Sequence, residues 1–326
     1  MSNTLNYLTM KFLSIPKNGA SWREPLLYKF TTESIREQDV EVEIIDELSG
    51  DSIGTQRLYG VIEAEIDIGP YVRSIIANML PYEKLALSPS ARKIKVRVGD
   101  VESESRMFYR AEVDDSVGHV LSSKRQSAVV QRGEAIRLTA FGRNSVNVRV
   151  VDRRTSVRPP VAAINTQGMP VEIAIATDSI AGQGVDIAIE VQCDTESVEV
   201  FEFRVVDSLS PRCRVAWYNL QGGIECYSYP TMVRRKYQSE VIEAACAEVG
   251  MPRPCRVIAT FSLTSAYETA EQLERLIGVI FSPEVYECCG MGCVPLRLKT
   301  RTVDFDDHGG LRRMELSVEK RWRDEV

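Results

Sequence analysis

At 326 residues the chain is long enough for two domains of about 150 residues or three β-domains of about 100, so a core can form without disulfide staples. Lys and Arg number 40 against 46 Asp and Glu, a net charge of −6, with 44% of residues hydrophobic and 26% charged. That balance excludes a disordered chain and a generally basic nucleic-acid binder.

Most of the sequence alternates with a period of two. Val40–Ile45, Ala64–Ile68, Lys93–Val98, Val146–Val150 and Val198–Val205 each set apolar residues on one face and charged or polar residues on the other. This pattern predicts antiparallel strands with one wet side. Turn signals at Gly50-Asp51, Gly99-Asp100, Gly142-Arg-Asn144 and Gly182-Gln-Gly184 separate the runs. Helical spacing is confined to a few places. Tyr71–Leu80, with Pro70 at its start and Pro81 beyond it, predicts a short helix. A longer one is predicted over Ala266–Phe281, where Leu273, Leu276, Ile277 and Ile280 form a stripe and Ser265-Ala-Tyr-Glu268 fits a capping box. Ser239–Val249 fits a third helix, although its flanks also permit a strand.

These breaks divide the chain into three modules. Residues 1–114 and 115–208 are expected as β-sandwich-like (Ig-like) modules, and 209–326 as an α+β module with one main helix on an antiparallel sheet. The expected strands of the last module are a pair within Val215–Tyr229, then Cys255–Leu263, Glu284–Cys289, Val294–Phe305 and Leu311–Trp322. The fold class is therefore mainly β.

The residues offer little catalytic chemistry. There are only two histidines, His119 and His308, and His is the commonest general base and metal ligand near neutral pH. Cys288, Cys289 and Cys293 flank a Gly-Met-Gly turn. A zinc site built on them would need a fourth ligand from Cys255 or His308, and no C-x-x-C pair is present, so the ligand count favours an ordinary hairpin. Cys213, Cys226, Cys246 and Cys255 are widely spaced, as buried small side chains would be. Ser14-Ile-Pro-Lys17 matches S-x-x-K only in letters, because Pro16 opposes the helix that would bring Lys to Ser. Gly182-Gln-Gly184 and Gly290-Met-Gly292 lack the following helix of a dinucleotide loop. Asp304, Asp306, Asp307 and His308 precede Gly309-Gly310 and read as a solvated loop. No catalytic, cofactor-binding or metal-binding residue is assigned, no cofactor is expected, and the chain is expected not to be an enzyme.

Partners are bounded by charge and hydropathy. No run approaches the roughly 18 apolar residues of a membrane span, and the first twenty residues lack an export-type apolar stretch, so no membrane span is expected and the eight cysteines are expected as reduced thiols. Glu33–Asp67 holds eleven acids and two bases, and Arg143–Arg158 five arginines and one acid. Such spans either face solvent on a sheet or steer a head-to-tail contact between copies. Arg212, Arg214, Arg234, Arg235 and Lys236 bracket Trp217, Tyr227 and Tyr229, a mixture that would stack on single-stranded nucleic acid if exposed. The aromatics alternate around Gly222-Gly223 as in a packed hairpin, and no nucleic-acid partner is expected.

The segment Val215–Tyr229, the capped helix, Ser282-Pro-Glu-Val-Tyr286 and Val294-Pro-Leu-Arg-Leu298, together with Val40–Arg73 and its Gly60–Arg73 run, resemble structural proteins of phages and prophages of Bacteroidetes, of the tail or baseplate type. The resemblance is greatest over residues 209–326. It implies a non-enzymatic component of a phage or tail-like particle, acting through other tail or virion proteins and copies of itself. It also implies a location in the host cytoplasm during assembly and then in the particle. A β-sandwich adhesin or glycan-binding module is the alternative the same elements allow.

Overall fold

The computed structural model describes residues 10–76, 85–123, 129–155, 160–178, 180, 184–207, 213–241, 255–282, 284–289, 292–299, 305–308 and 310–322. The chain begins with β1 (Lys11–Ser14), β2 (Ala20–Ser21), β3 (Leu27–Thr31), β4 (Gln38–Asp46), β5 (Ser52–Val61), β6 (Glu63–Asp67) and α1 (Gly69–Ile75). Then come β7 (Leu85–Leu87), β8 (Arg92–Val98), β9 (Val101–Glu102) and β10 (Arg106–Tyr109). Two sheets result, β1-β3-β6 and β2-β10-β8-β4-β5, with β9 paired to β8. The alternation anticipated in Val40–Ile45 and Lys93–Val98 sends Val40, Val42, Ile44, Ile94, Val96 and Val98 into one core, where Tyr28, Phe30 and Ile66 meet them from the smaller sheet.

The helix expected over Tyr71–Leu80 is α1. Pro70 occupies its first turn, and Ile76 already has extended backbone at the C-cap, so the helix ends after Ile75; residues 77–80 lie outside the described residues.

The next strands are β11 (His119–Val120), β12 (Val129–Gln131), β13 (Ala135–Phe141), β14 (Ser145–Asp152), β15 (Ala162–Asn165), β16 (Pro170–Ala176), β17 (Val185–Cys193) and β18 (Glu199–Val206). They form the sheets β11-β13-β16-β7 and β12-β18-β17-β14-β15. A second core, including Ile136, Leu138, Val171 and Ile173 from one sheet and Val146, Ile187, Ile189 and Phe203 from the other, lies between them. β7 reaches this pair of sheets from the preceding span, with Leu85, Ala86 and Leu87 opposite Ile173, Glu172 and Val171. Beside β7 the two sheets leave an apolar cavity of about 300 Å³ lined by Leu85, Val148, Val150, Ile173, Ile175 and Ile180, among others.

The last strands are β19 (Cys213–Tyr218), β20 (Ile224–Tyr229), β21 (Thr231–Val241) and β22 (Cys255–Thr264), followed by α2 (Ala270–Phe281), β23 (Val285–Cys289), β24 (Gly292–Leu298), β25 (Phe305–His308) and β26 (Leu311–Trp322). One sheet runs β20-β19-β23-β24-β26-β22-β21, with β25 paired to β26. α2 covers one face, burying Leu273, Leu276 and Val279 against Trp217, Leu263, Leu316 and Val318.

Three expectations for this region are corrected. The cap of α2 is Thr269 with Gln272, not Ser265 with Glu268. Ser265 and Glu268 are engaged elsewhere: the Ser265 hydroxyl accepts from the Met314 amide at 2.8 Å, and Glu268 bridges to Arg312. The loop expected at Asp306-Asp307-His308 is strand β25, whose register sets Asp306 opposite Arg313 and Asp307 opposite Arg312. The third helix does not begin at Ser239, because residues 239–241 close β21 and face Arg256 and its neighbours on β22; residues 242–249 lie outside the described residues.

Candidate functional site: a buried polar junction

Strands β13 and β16 are buried on both faces. Their inner face supplies Ile136, Leu138, Val171 and Ile173 to the core, so by alternation Arg137, Thr139 and Glu172 point the other way. There they meet the face of β19, β20 and β23 that carries Ala216, Tyr218, Ile224, Cys226, Tyr286 and Cys288. A polar cluster is thereby closed off between three runs of chain that are far apart in sequence.

Glu172 is its centre. One carboxylate oxygen accepts from the Ser88 hydroxyl at 2.7 Å and the Tyr218 phenol at 3.2 Å. Among the described residues the second oxygen has no hydrogen-bond partner. Burial pushes the Glu172 carboxyl upward in pKa, against the opposing pull of the Ser88 bond and of Arg110. The Arg110 guanidinium carbon lies over the Tyr218 ring, 3.4 Å from its centroid, and the group donates to Glu284 at 2.6 Å and to the Ser90 hydroxyl. Burial opposes its charge, but Tyr218, Tyr109 and Glu284 hold it protonated. Arg23 approaches the other oxygen of Glu284 at 3.6 Å, and the Tyr286 phenol donates to Glu284 at 3.3 Å.

A second group extends the seam. Arg214 donates to the Ser228 hydroxyl at 2.8 Å and to the Ala135 carbonyl at 3.1 Å, with Glu134 at 3.7 Å. A third closes the other end: Glu225 accepts from the Ser123 amide and hydroxyl at 2.7 and 2.9 Å, and from Asn219 at 2.8 Å. Burial raises the Glu225 pKa as well. The Ser122 hydroxyl donates to the Ile224 carbonyl, and the Thr139 hydroxyl accepts from the Ile224 amide. The Gly222-Gly223 turn fits here without a side chain. A Cβ on Gly223 would stand 2.2 Å from the Leu121 carbonyl oxygen, and Gly222 has φ of +80° with the Tyr109 ring against it. The junction is a largely buried hydrogen-bond network, several of its bonds made to charged groups, and such a network fixes geometry.

The residues singled out in the sequence fall in several places. Trp217, Tyr227 and Tyr229 are buried, with Tyr227 and Tyr229 packed edge-on at 4.8 Å, so they do not form an open stacking platform. Arg214 belongs to the seam. Arg212 lies outside the described residues, and of Arg234 and Arg235 only the strand register is described. Ser14 ends β1, and Lys17 pairs with Glu112 at 2.5 Å. Cys288 and Cys293 face each other on the junction side of their hairpin, Sγ to Sγ 3.0 Å, whereas Cys289 is exposed. Cys213 and Cys226 are buried. Among the described residues no group of three or more His, Cys, Asp or Glu is placed to hold a metal ion. The side chains of Cys255 and His308 are outside that description, and residue 246 is outside it altogether.

Several residues of the charged spans pair locally with neighbours in the same sheet or turn. Glu43 meets Arg97 at 2.7 Å, Glu63 meets Lys29 at 2.6 Å, Arg153 meets Glu202 at 2.7 Å and Arg154 meets Asp152 at 2.8 Å. What the sequence reading missed is the junction itself: Ser88, Arg110, Arg137, Glu172 and Glu284. A usable signal was present in Ala135–Phe141 and Pro170–Ala176, each a nearly continuous apolar run with one charged residue near its middle. Such a run marks a strand covered on both faces.

No family model matches the chain, and no curated protein matches it. Among solved structures it is similar to DIP-gamma IG1+IG2, at 10% identity over 62% of this chain and 98% of that one, with a TM-score of 0.17. It is similar also to the ICAM-5 D1–D4 ectodomain fragment, at 8% identity over 79% and 71% with a TM-score of 0.21. Domains 4–9 of the surface layer protein SbsC give 10% identity over 98% and 44%, with a TM-score of 0.21. Scores this low support no argument about function. No helix among the described residues is long and apolar enough to cross a membrane.

Proposed function

We propose that the chain is a non-enzymatic structural component of a phage or phage-tail-like particle, acting by protein–protein assembly. In this reading residues 1–114 and 115–208 are Ig-like sandwich modules, residues 209–326 are the α+β assembly module, and the partners are other tail proteins and further copies. The protein would then occupy the host cytoplasm during assembly and afterwards the particle. The observation that supports this is the enclosed junction. It ties three stretches of chain into one geometry by spending the charged side chains inward, while two long sheet edges remain outward: β5 with Tyr59 69% exposed, and β21 with Tyr237 60% exposed. Unpaired strand edges are templates for pairing with another chain.

Light scattering over a concentration and salt series, alone and with the products of neighbouring genes, tests the reading. Self-association or co-assembly is expected, weakened by Tyr59→Lys or Tyr237→Lys and little changed by reversing Arg153 and Arg154, whose partners are intramolecular. A monomer at every condition that instead binds oligosaccharides would replace this reading with the glycan-binding one.

A further inference from the structure

The hairpin β23–β24 holds two thiols in a special relation. Cys288 and Cys293 are directly opposite in register. Pro295 faces Tyr286 in the same ladder, and a residue without an N–H fits a facing pair that exchanges no hydrogen bonds. Because the two kinds of facing pair alternate along an antiparallel ladder, Cys288 and Cys293, two positions further on, are again a non-hydrogen-bonded pair. Such pairs have Cα atoms about 4.5 Å apart. That lies inside the range of roughly 4.4–6.8 Å that a disulfide bridges. The sulfurs already touch, at 3.0 Å. Cys289 is disposed otherwise, exposed and opposite Gly292.

We infer that Cys288 and Cys293 form a modification site: a dithiol that a low-molecular-weight disulfide oxidises to a cross-strand bond without rearrangement of the hairpin. Cys293 is half-buried while Cys288 is buried, so Cys293 is the thiol that meets the reagent. Its thiolate attacks one sulfur of the reagent, the reagent's S–S bond breaks, and one thiolate leaves. The Cys288 thiolate then attacks Cys293 Sγ, the mixed disulfide breaks, and the second thiolate leaves. Two electrons pass from the two cysteines to the reagent, and the two thiol protons end on its two thiols. The Arg137 guanidinium, within electrostatic reach of both sulfurs, favours the Cys288 thiolate in the second step. The bond to Cys293, and after it burial, hold the Cys288 thiol well above its ordinary pKa, in keeping with Cys293 as the first thiol to react.

The test uses the full chain with Cys289→Ser, equilibrated in its folded state with oxidised glutathione in excess over reduced, then quenched with acid and alkylated after denaturation. The expected product has lost two hydrogens and retains no glutathione, with the loss confined to the peptide carrying Cys288 and Cys293. Adding Cys293→Ser abolishes it. The unsubstituted protein gives an independent readout: phenylarsine oxide, which bridges two adjacent thiols, binds one per chain before oxidation and not afterwards. A folded protein that keeps all its thiols, or that stops as a stable glutathione adduct, overturns the inference, as does failure of the arsenical to bind the reduced chain. None of these outcomes depends on whether the protein assembles, so the inference stands or falls apart from the proposed function.

Discussion

Replacing Arg110 by Met removes a guanidinium whose side chain is 1% exposed while leaving much of the volume of its stem. Three interactions go at once: the 2.6 Å bond to Glu284, the bond to Ser90 and the stack on Tyr218. Breaking a buried ion pair from one side costs about 3–5 kcal/mol, because the remaining charge stays desolvated. Glu284 keeps some exposure, 13% of its side chain, and Arg23 stands 3.6 Å from its other oxygen, so the lower end applies, about 3 kcal/mol. Replacing Glu284 by Gln in the Arg110→Met background removes the stranded charge, and the double variant is expected to recover about 1–3 kcal/mol relative to additivity. Urea denaturation followed by tryptophan fluorescence measures both quantities. Trp22 is a local reporter, since its indole N–H donates to the Ser90 carbonyl at 3.1 Å. A cost below about 1 kcal/mol for Arg110→Met, the level of an exposed pair, would refute the view that the junction holds its three stretches of chain together, as would an additive cycle.

Glu172→Gln keeps an acceptor for Ser88 and Tyr218 and removes the titration. The folded-state pKa of Glu172 lies above the ordinary 4.5, so the stability contributed by its protonated form is fully present below the unfolded value and is lost as pH rises through the folded one. The native protein should therefore lose stability relative to Glu172→Gln as pH is raised from about 4.5, and parallel denaturation profiles between pH 4 and 8 would contradict this. Glu225, shifted in the same direction, is common to both proteins and cancels. Gly223→Ala drives a methyl into the Leu121 carbonyl and is expected to cost about 2 kcal/mol or more by the same urea assay, with no effect if the turn were free. Leu276→Ala, emptying a site on α2 that is 4% exposed, should cost about 2–5 kcal/mol; a smaller loss would mean that the helix is not seated on the sheet.

The strands were legible where one face is wet. Val40–Ile45 and Val146–Val150 alternate because only one side of each is in a core, and each appears within a strand of the fold, β4 and β14. The stripe of α2 was legible for the same reason, but its start was not: Ser265 and Glu268 have the chemistry of a cap and are claimed by β26 and Arg312, a tertiary demand that no local pattern records. The junction was hidden more completely. Arg110 and Glu284 are separated by 174 positions, and nothing near either one announces the other. Glu172 drew no notice in the sequence, and alternation along Pro170–Ala176 identifies the face it points to but not what covers that face.

The short strand β7 has a consequence for the order in which the chain can complete itself. Leu85–Leu87 leave the ribosome before any residue of β13 or β16, yet they hydrogen-bond to β16, some 85 positions later, whereas β8, immediately after them, belongs to the preceding sheets. A nascent chain that has finished β8 and β10 must therefore hold β7 unpaired until β16 emerges. For the same reason a fragment beginning at residue 115 would lack β7, one of the two strands paired with β16, and with it Leu85, one wall of the apolar cavity. Its β16 edge would be bare, and an apolar edge of that kind recruits other chains. Secretion or display of the middle of the chain by itself should thus begin no later than residue 85.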